Sequence, residues 1–250
     1  MCLIVLAHRA HRSHALIVAA NRDERGDRPT ESMQILTAEP PRIVGGRDLL
    51  AGGTWMAINE NGVIAGVTNQ RSPRGRDGSK RSRGEIPLDL ARCLSASEAA
   101  VRAADLVPGA YNPCTLLVAD EKDAFYVELI TGEQARVVEL EPGVHVLENR
   151  ALTAPSPKAD RVRSTMEGYR SHTGDALLDH LERVLADQTI PEGGGHDRPP
   201  QLEAARVSLD GYGTRSSTLV LSQTASPPTI WYIDGPPGET ARRRFSGLVT

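Results

Sequence analysis

The sequence predicts an α+β domain in which two antiparallel sheets face each other and helix pairs lie outside them. Three observations carry that prediction. Short apolar, β-branched runs recur between turn residues, the pattern of half- or fully buried strands. Helical patterns come in two blocks set between blocks of strands, whereas a parallel doubly wound sheet would need strict alternation. No Pro/Ser-rich linker or internal repeat divides the chain, so residues 1–250 are read as one domain.

The elements follow in order. "CLIVLAH" and "HALIVAAN" are strands joined by a polar turn around "RAHRS". "TWMAIN" and "GVIAGVTN" flank "ENG", whose Asn61-Gly62 pair suits the positive backbone angle of a hairpin turn. These two hairpins are compatible with a single antiparallel sheet. Helical spacing at Ile86, Leu90 and Leu94 predicts a helix over "GEIPLDLARCL". In the "SASE" that follows, Ser95 stands three residues before Glu98, a capping-box signal for the helix "ASEAAVRAADLV". Strands resume with "CTLLVAD", "AFYVELI", "ARVVEL" and "GVHVLEN". A second helical block covers "PKADRVRSTMEGYRSH" and "DALLDHLERVLAD", the latter with apolar positions at Leu177, Leu178, Leu181 and Leu185. "PEGGGHDRPPQ" reads as a surface loop. "RSSTLVLSQ", "TIWYIDG" and a short strand near "RRRFSG" close the chain.

Composition narrows the function. A formal net charge of −3 calls for neither nucleic acid nor an anionic membrane, and two Trp, two Phe and five Tyr are few for a base-stacking surface. Cys2, Cys93 and Cys114 lack zinc-ligand spacing and suit a reducing compartment. "CLIVLA" is too short for a signal-peptide core, and no stretch has the length of a membrane span. The expectation is a cytoplasmic protein without stable membrane insertion; its oligomeric state is not legible.

Cys2 is the residue most open to a chemical role. Removal of Met1 would give it a free α-amine. That amine titrates near ~7.7–8.0 and a thiol near ~8.5, so proton transfer between them costs only about 1 kcal/mol. The residue would then carry a nucleophile and its own base. The competing reading is a buried structural thiol, since cysteine is among the most buried residue types. If the first two strands pair, "ANRDE" returns beside Cys2. Asp23 would accept a bond from the α-amine there, and Arg22 would stabilise a thiolate. Asn69 and Asn149 end apolar strands, where an amide can donate to an oxyanion or simply cap a strand end. Arg215 in "YGTRSST" is a cation for a carboxylate, or part of a β-turn before an edge strand. Six basic residues from Arg71 to Arg83 form either a solvated loop or an attractor for an anionic substrate such as a phosphate-bearing thioester. His8, His11 and His14 recur every three residues but on a predicted turn, so no metal site is assigned.

Taken together these stretches resemble the NRDE family, also called the transport and Golgi organisation protein 2 family. The matches are "MC", "ANRDE", "GGRDLLAGGTW", "NENGVIAGVTN", "SRGE", "HVLEN" followed by "PSPK", and "YGTRSST", in order from Cys2 to Thr218. Two positions depart from the pattern. Ser156 stands where the family usually has Trp, and Ala20 where the wider superfamily's Arg-Asn-x-Asp motif has Arg. The resemblance implies a four-layer αββα sandwich of the N-terminal-nucleophile hydrolase type, a superfamily whose enzymes cleave linear amides. Carried over, Cys2 is the nucleophile, Asp23 bonds its amine, Asn69 and Asn149 serve oxyanion and amine, and Arg215 and Arg22 complete the charged network. Asn21, Trp55 and Thr68, within the same motifs, are assigned to substrate contact. The implied activity is hydrolysis or acyl transfer on a linear amide or thioester through an acyl-enzyme on Cys2, with no required cofactor. The alternative is a non-catalytic protein that binds or traffics haem, an acyl lipid or acyl-CoA in the same cleft. Either way the partner is a small molecule, and nucleic acid is not expected.

Overall fold

A computed structural model describes residues 2–72, 75–130, 132, 134–193, 198–224 and 226–248. Among them the strands form two sheets. The first has the order β10-β1-β2-β12-β13-β14, with the short β11 beside β12. It is built from β1 (Cys2–His8), β2 (Leu16–Arg25), β10 (Gly143–Leu147), β11 (Ser208–Leu209), β12 (Tyr212–Ser222), β13 (Thr229–Ile233) and β14 (Arg243–Phe245). The second runs in chain order through β3 (Thr30–Thr37), β4 (Ile43–Asp48), β5 (Met56–Asn59), β6 (Ile64–Asn69), β7 (Cys114–Ala119), β8 (Ala124–Leu129) and β9 (Arg136–Glu139). All pairings between these strands are antiparallel.

Side-chain alternation explains the layering, because successive residues of a strand face opposite sides. Ile4, Leu6, Val18, Ala20 and Val220 of the first sheet meet Met56, Ile58, Ile64 and Leu117 of the second, forming the core between the sheets. The alternate positions, Leu3, Val5, Ile17, Ala19 and Leu219, turn to the other side. There they pack on α3 (Pro157–Thr165) and α4 (Gly174–Ala186) through Val162, Leu177, Leu181 and Leu185. Outside the second sheet, α1 (Glu85–Leu90) and α2 (Ala96–Ala104) cover Val63, Ala65, Leu116 and Val127. The result is the four-layer αββα sandwich. None of these helices is long and apolar enough to cross a membrane.

Two expectations need correction, and two strands escape the sequence pattern. The two early hairpins do not share a sheet: β1–β2 belongs to the first and β5–β6 to the second. The helix predicted over "GEIPLDLARCL" stops at Leu90, and Leu94 is 68% exposed. Ser95 opens a new helix there, its hydroxyl accepting from Glu98 N–H at 3.1 Å. Strands β3 and β4 carry no clean apolar alternation. β3 is half-exposed along its length, and the Gly45-Gly46 pair of β4 reads as a turn. Two expectations lie partly outside the described residues, at 73–74 of the basic loop and 194–197 of the Pro/Gly-rich loop.

Candidate active site

The first sheet brings Cys2 to one end of a cavity of about 460 Å³. The antiparallel register sets Cys2 directly opposite Arg22, and such pairs point their side chains to the same face. On the other side of β1, Ile4 pairs with Leu147, so continuing the register by two residues brings Asn149 alongside Cys2. The cavity wall includes Cys2, Arg22, Asp23, Trp55, Asn69 and Arg83. Of these, Trp55 lies on the loop before β5 and Asn69 ends β6, so both sheets contribute.

Arg22 is buried, with its guanidinium 4.3 Å from the centre of the Trp55 ring, a cation–π contact that holds both side chains at the wall. Close packing around Trp55 accounts for two motif glycines. A Cβ on Gly46 would fall 2.2 Å from the Trp55 ring. Gly53 has φ +82°, and a Cβ there would meet the Gly84 carbonyl oxygen at 2.3 Å. Thr54 N–H donates to that same carbonyl at 2.9 Å. The "GGTW" and "SRGE" stretches therefore lie against each other and deliver Trp55 and Arg83 to one cavity.

Burial pushes the Cys2 thiol above its usual pKa, as does the Asp23 carboxylate, while Arg22 and the Asp23 backbone N–H pull it down. Burial likewise raises Asp23, opposed by Lys158, by a hydrogen bond from Thr214 and by Arg22. The Thr214 hydroxyl donates to Asp23 Oδ1 at 2.6 Å, and the Tyr212 hydroxyl donates to the Asp23 carbonyl at 3.2 Å. Asn149 Nδ2 donates to the Asn69 carbonyl at 2.5 Å, tying the two sheets together behind the thiol. Asn149 Oδ1 is buried and has no hydrogen-bond partner among the described residues.

Three assigned residues lie elsewhere. Asn21 is 1% exposed and turned to the helical layer; its amide donates to the Leu185 and Ala205 carbonyls, both at 2.9 Å, and accepts from Ser217 at 2.6 Å. Thr68 is buried between the sheets, within 2.5 Å of the Thr115 hydroxyl and donating to the Glu148 carbonyl at 2.9 Å. Both are structural cross-links, and neither lines the cavity. Arg215 is exposed and also lines no part of it. The β2–β12 register shifts between Thr214 and Ser216, so Arg215 sits on a bulge, outside the ladder.

The departures from the motif pattern also find a place. Ala20 and Arg22 are two apart on β2 and so share a face. Arg22 thus supplies the guanidinium on the side where the wider pattern has one at position 20. Ser156 caps α3, accepting from Ala159 N–H at 3.0 Å, and its hydroxyl donates to the buried Glu148 carboxylate. Sequence reading missed Lys158. It is 1% exposed beneath the first sheet, donating to the Leu202 carbonyl at 3.4 Å. Its only signal is its place after "PSP" in a recurring stretch. Arg28 and Asp48, paired at 2.6 Å on the cavity wall, were also missed because each reads as an ordinary surface charge.

The Transport and Golgi organisation 2 family model matches residues 1–231. The chain belongs to this family. The human Transport and Golgi organization protein 2 homolog is 29% identical over 230 residues, covering 84% of this chain and 82% of the relative. The Mus musculus homolog is 28% identical over the same coverage. Among solved structures, the Caenorhabditis elegans N-acylethanolamine-hydrolyzing acid amidase ortholog superposes with a TM-score of 0.57 at 13% identity, covering 88% of this chain and 92% of its own. The C2A mutant of conjugated bile acid hydrolase from Clostridium perfringens gives 0.55 at 10% identity, covering 98% and 97%. At those identities the likeness establishes the fold, that of the N-terminal-nucleophile hydrolases, and leaves chemistry to the site itself.

Proposed function

We propose that this member of the Transport and Golgi organisation 2 family is a cysteine N-terminal-nucleophile hydrolase or acyltransferase acting on a linear amide or thioester. The observation that carries the reading is Cys2 at the cavity wall, opposite Arg22 and beside Asp23 and Asn69. With Met1 removed, the α-amine takes the thiol proton and the thiolate attacks the substrate carbonyl carbon. The oxyanion so formed accepts from the side-chain amide of Asn69 on the cavity wall, and Arg22 offsets the developing charge. Collapse expels the amine or thiol with the proton held by the α-amine and leaves an acyl group on Cys2. Water or a second nucleophile then attacks that thioester and restores the thiol.

The two solved relatives named above are described as hydrolysing N-acylethanolamines and conjugated bile acids, both acyl amides, which supports an acyl amide here. Haem fits the cavity less well. Among the described residues no histidine lines it, and its aliphatic wall is confined to Leu50, Ala51 and Val67 among many charged groups.

The test is a panel of fatty-acyl amides and acyl thioesters, followed by intact mass and turnover, with protein whose first residue has been identified. Wild type is expected to lose Met1 and to accumulate an acyl adduct on Cys2. Cys2→Ala is expected to lose at least ~10³-fold in turnover. Equal turnover by Cys2→Ala and wild type rules the nucleophile out.

A further inference from the structure

The cavity wall holds six arginines, Arg22, Arg25, Arg28, Arg76, Arg81 and Arg83, against three carboxylates, Asp23, Glu24 and Asp48. Most of these cations are already matched. Arg28 pairs with Asp48 at 2.6 Å and Glu24 at 3.6 Å; Arg25 pairs with Asp27 at 3.3 Å; Arg81 pairs with Glu85 at 2.7 Å. Arg22 lies on Trp55 and within 4.0 Å of Glu24. Arg83 differs. It is half-buried, and its guanidinium donates to the Pro113 carbonyl at 3.1 Å; among the described residues no carboxylate comes within ion-pair distance, and Glu24 acts on it only from farther away. Arg76 lines the same wall, is close enough to Arg83 to act on its charge, and likewise has no acidic partner there.

Desolvating a guanidinium without an anion is unfavourable, and a planar fork of N–H donors matches the oxygens of a carboxylate, sulfonate or phosphate. The hydrogen bond from Thr54 N–H to the Gly84 carbonyl fixes the residue next to Arg83 against the Trp55 loop. Its side chain is thereby held over the cavity that Cys2 lines, rather than on a free loop.

We propose that Arg83, assisted by Arg76, binds an oxyanion group of the substrate, so that the molecule presented to Cys2 is an anionic amide or thioester rather than a neutral one. The substrate half of this statement rests on the nucleophile reading above; the anion site itself does not.

The experiment titrates methyl phosphate, methanesulfonate and acetate into the full chain. Binding is read by calorimetry and by Trp55 fluorescence in a Trp231→Phe background. At least one anion is expected to bind saturably, and the strongest identifies the head group. Arg83→Gln is expected to weaken that binding about tenfold or more and Arg76→Gln by less, while Arg83→Lys retains part of it because a point charge replaces the fork. Binding in Cys2→Ser is expected to match wild type. The second arm compares alkylation of Cys2 by iodoacetate and by iodoacetamide, each relative to N-acetylcysteine. The anionic reagent is expected to gain about tenfold, a gain that Arg83→Gln removes. Absence of saturable binding for all three anions by both readouts overturns the proposal, as does undiminished binding in a folded Arg83→Gln. Saturable, Arg83-dependent binding together with equal turnover by Cys2→Ala and wild type on the acyl panel sustains the anion site and rejects the nucleophile.

Discussion

Along the end of β2, Asn21 and Asp23 turn one way and Arg22 and Glu24 the other. The odd-numbered pair meets the helical layer: Asn21 bonds the end of α4 and the 205 segment, and Asp23 bonds Thr214, whose hydroxyl also accepts from Val207 N–H at 3.0 Å. The even-numbered pair meets the cavity, where Arg22 stacks on Trp55 and Glu24 helps hold Arg28. Within one four-residue motif Asn21 is thus frame, Arg22 and Glu24 belong to the cavity, and Asp23 serves both, bonding Thr214 while it also lines the cavity wall. The lesson is that a run of polar residues in a strand cannot be assigned to function as a block. The strand's two-residue period divides it.

Substitutions on the two faces break or sharpen that contrast. The largest effect on stability is expected from Asn21→Leu, which leaves the Leu185 and Ala205 carbonyls and the Ser217 hydroxyl without their partner. Thermal or denaturant unfolding is expected to show a loss of about 2–5 kcal/mol. A loss below ~1 kcal/mol would mean the odd face is not a frame. Next comes Arg22→Met, expected to slow alkylation of Cys2 about tenfold while costing about 1 kcal/mol in stability, since the stacking on Trp55 is lost but no carbonyl is orphaned. The reverse ranking of the two variants, in stability and in thiol reactivity, would erase the distinction between the faces.

A pH series gives the third expectation. In protein that retains Met1, burial holds the Cys2 thiol above its ordinary pKa, so the reactive thiolate is scarce at pH 8 and alkylation keeps climbing beyond pH 9. The N-terminal ammonium of that form already opposes the shift; removal of Met1 brings the α-ammonium onto Cys2 itself, closer to the thiol, which favours the thiolate further and moves the midpoint down. Cys114, buried and pushed up to about 12, is expected to stay inert throughout. Rate–pH profiles of the two N-terminal forms, read peptide by peptide, check the direction. The smallest effect is reserved for Arg215→Ala. Exposed on a bulge, it is expected to change stability by less than ~0.5 kcal/mol and turnover by less than about twofold. A hundredfold loss would show that Arg215 enters the cavity when substrate is bound.

Much of this was legible before any coordinates. Strand-like runs located β1, β2, β5 to β10 and β12 to β14, and the block order gave two stacked antiparallel sheets, because apolar periodicity and turn chemistry are local properties. The proximity of Cys2 to "ANRDE" also followed from sequence, since a short turn forces the two strands into register. Other features depended on distant partners. Asn21 and Thr68 carry the same polar groups as genuine contact residues; only the carbonyls and hydroxyls they meet, far away in the chain, make them cross-links. Arg83 and Arg81 are alike as sequence, yet Glu85 pairs with one while the Thr54–Gly84 hydrogen bond holds the other beside the cavity, with no carboxylate at ion-pair distance among the described residues. What the sequence by itself determined was most of the elements, the facing of two sheets between helix pairs and the cysteine at the head of the first strand, whereas β3 and β4 and the division of the early hairpins between the sheets came from packing. Which charges are matched, which amides are spent on the frame, and which side of β2 faces open space were decided by the tertiary structure, because burial and pairing are properties of neighbours that the chain acquires only on folding.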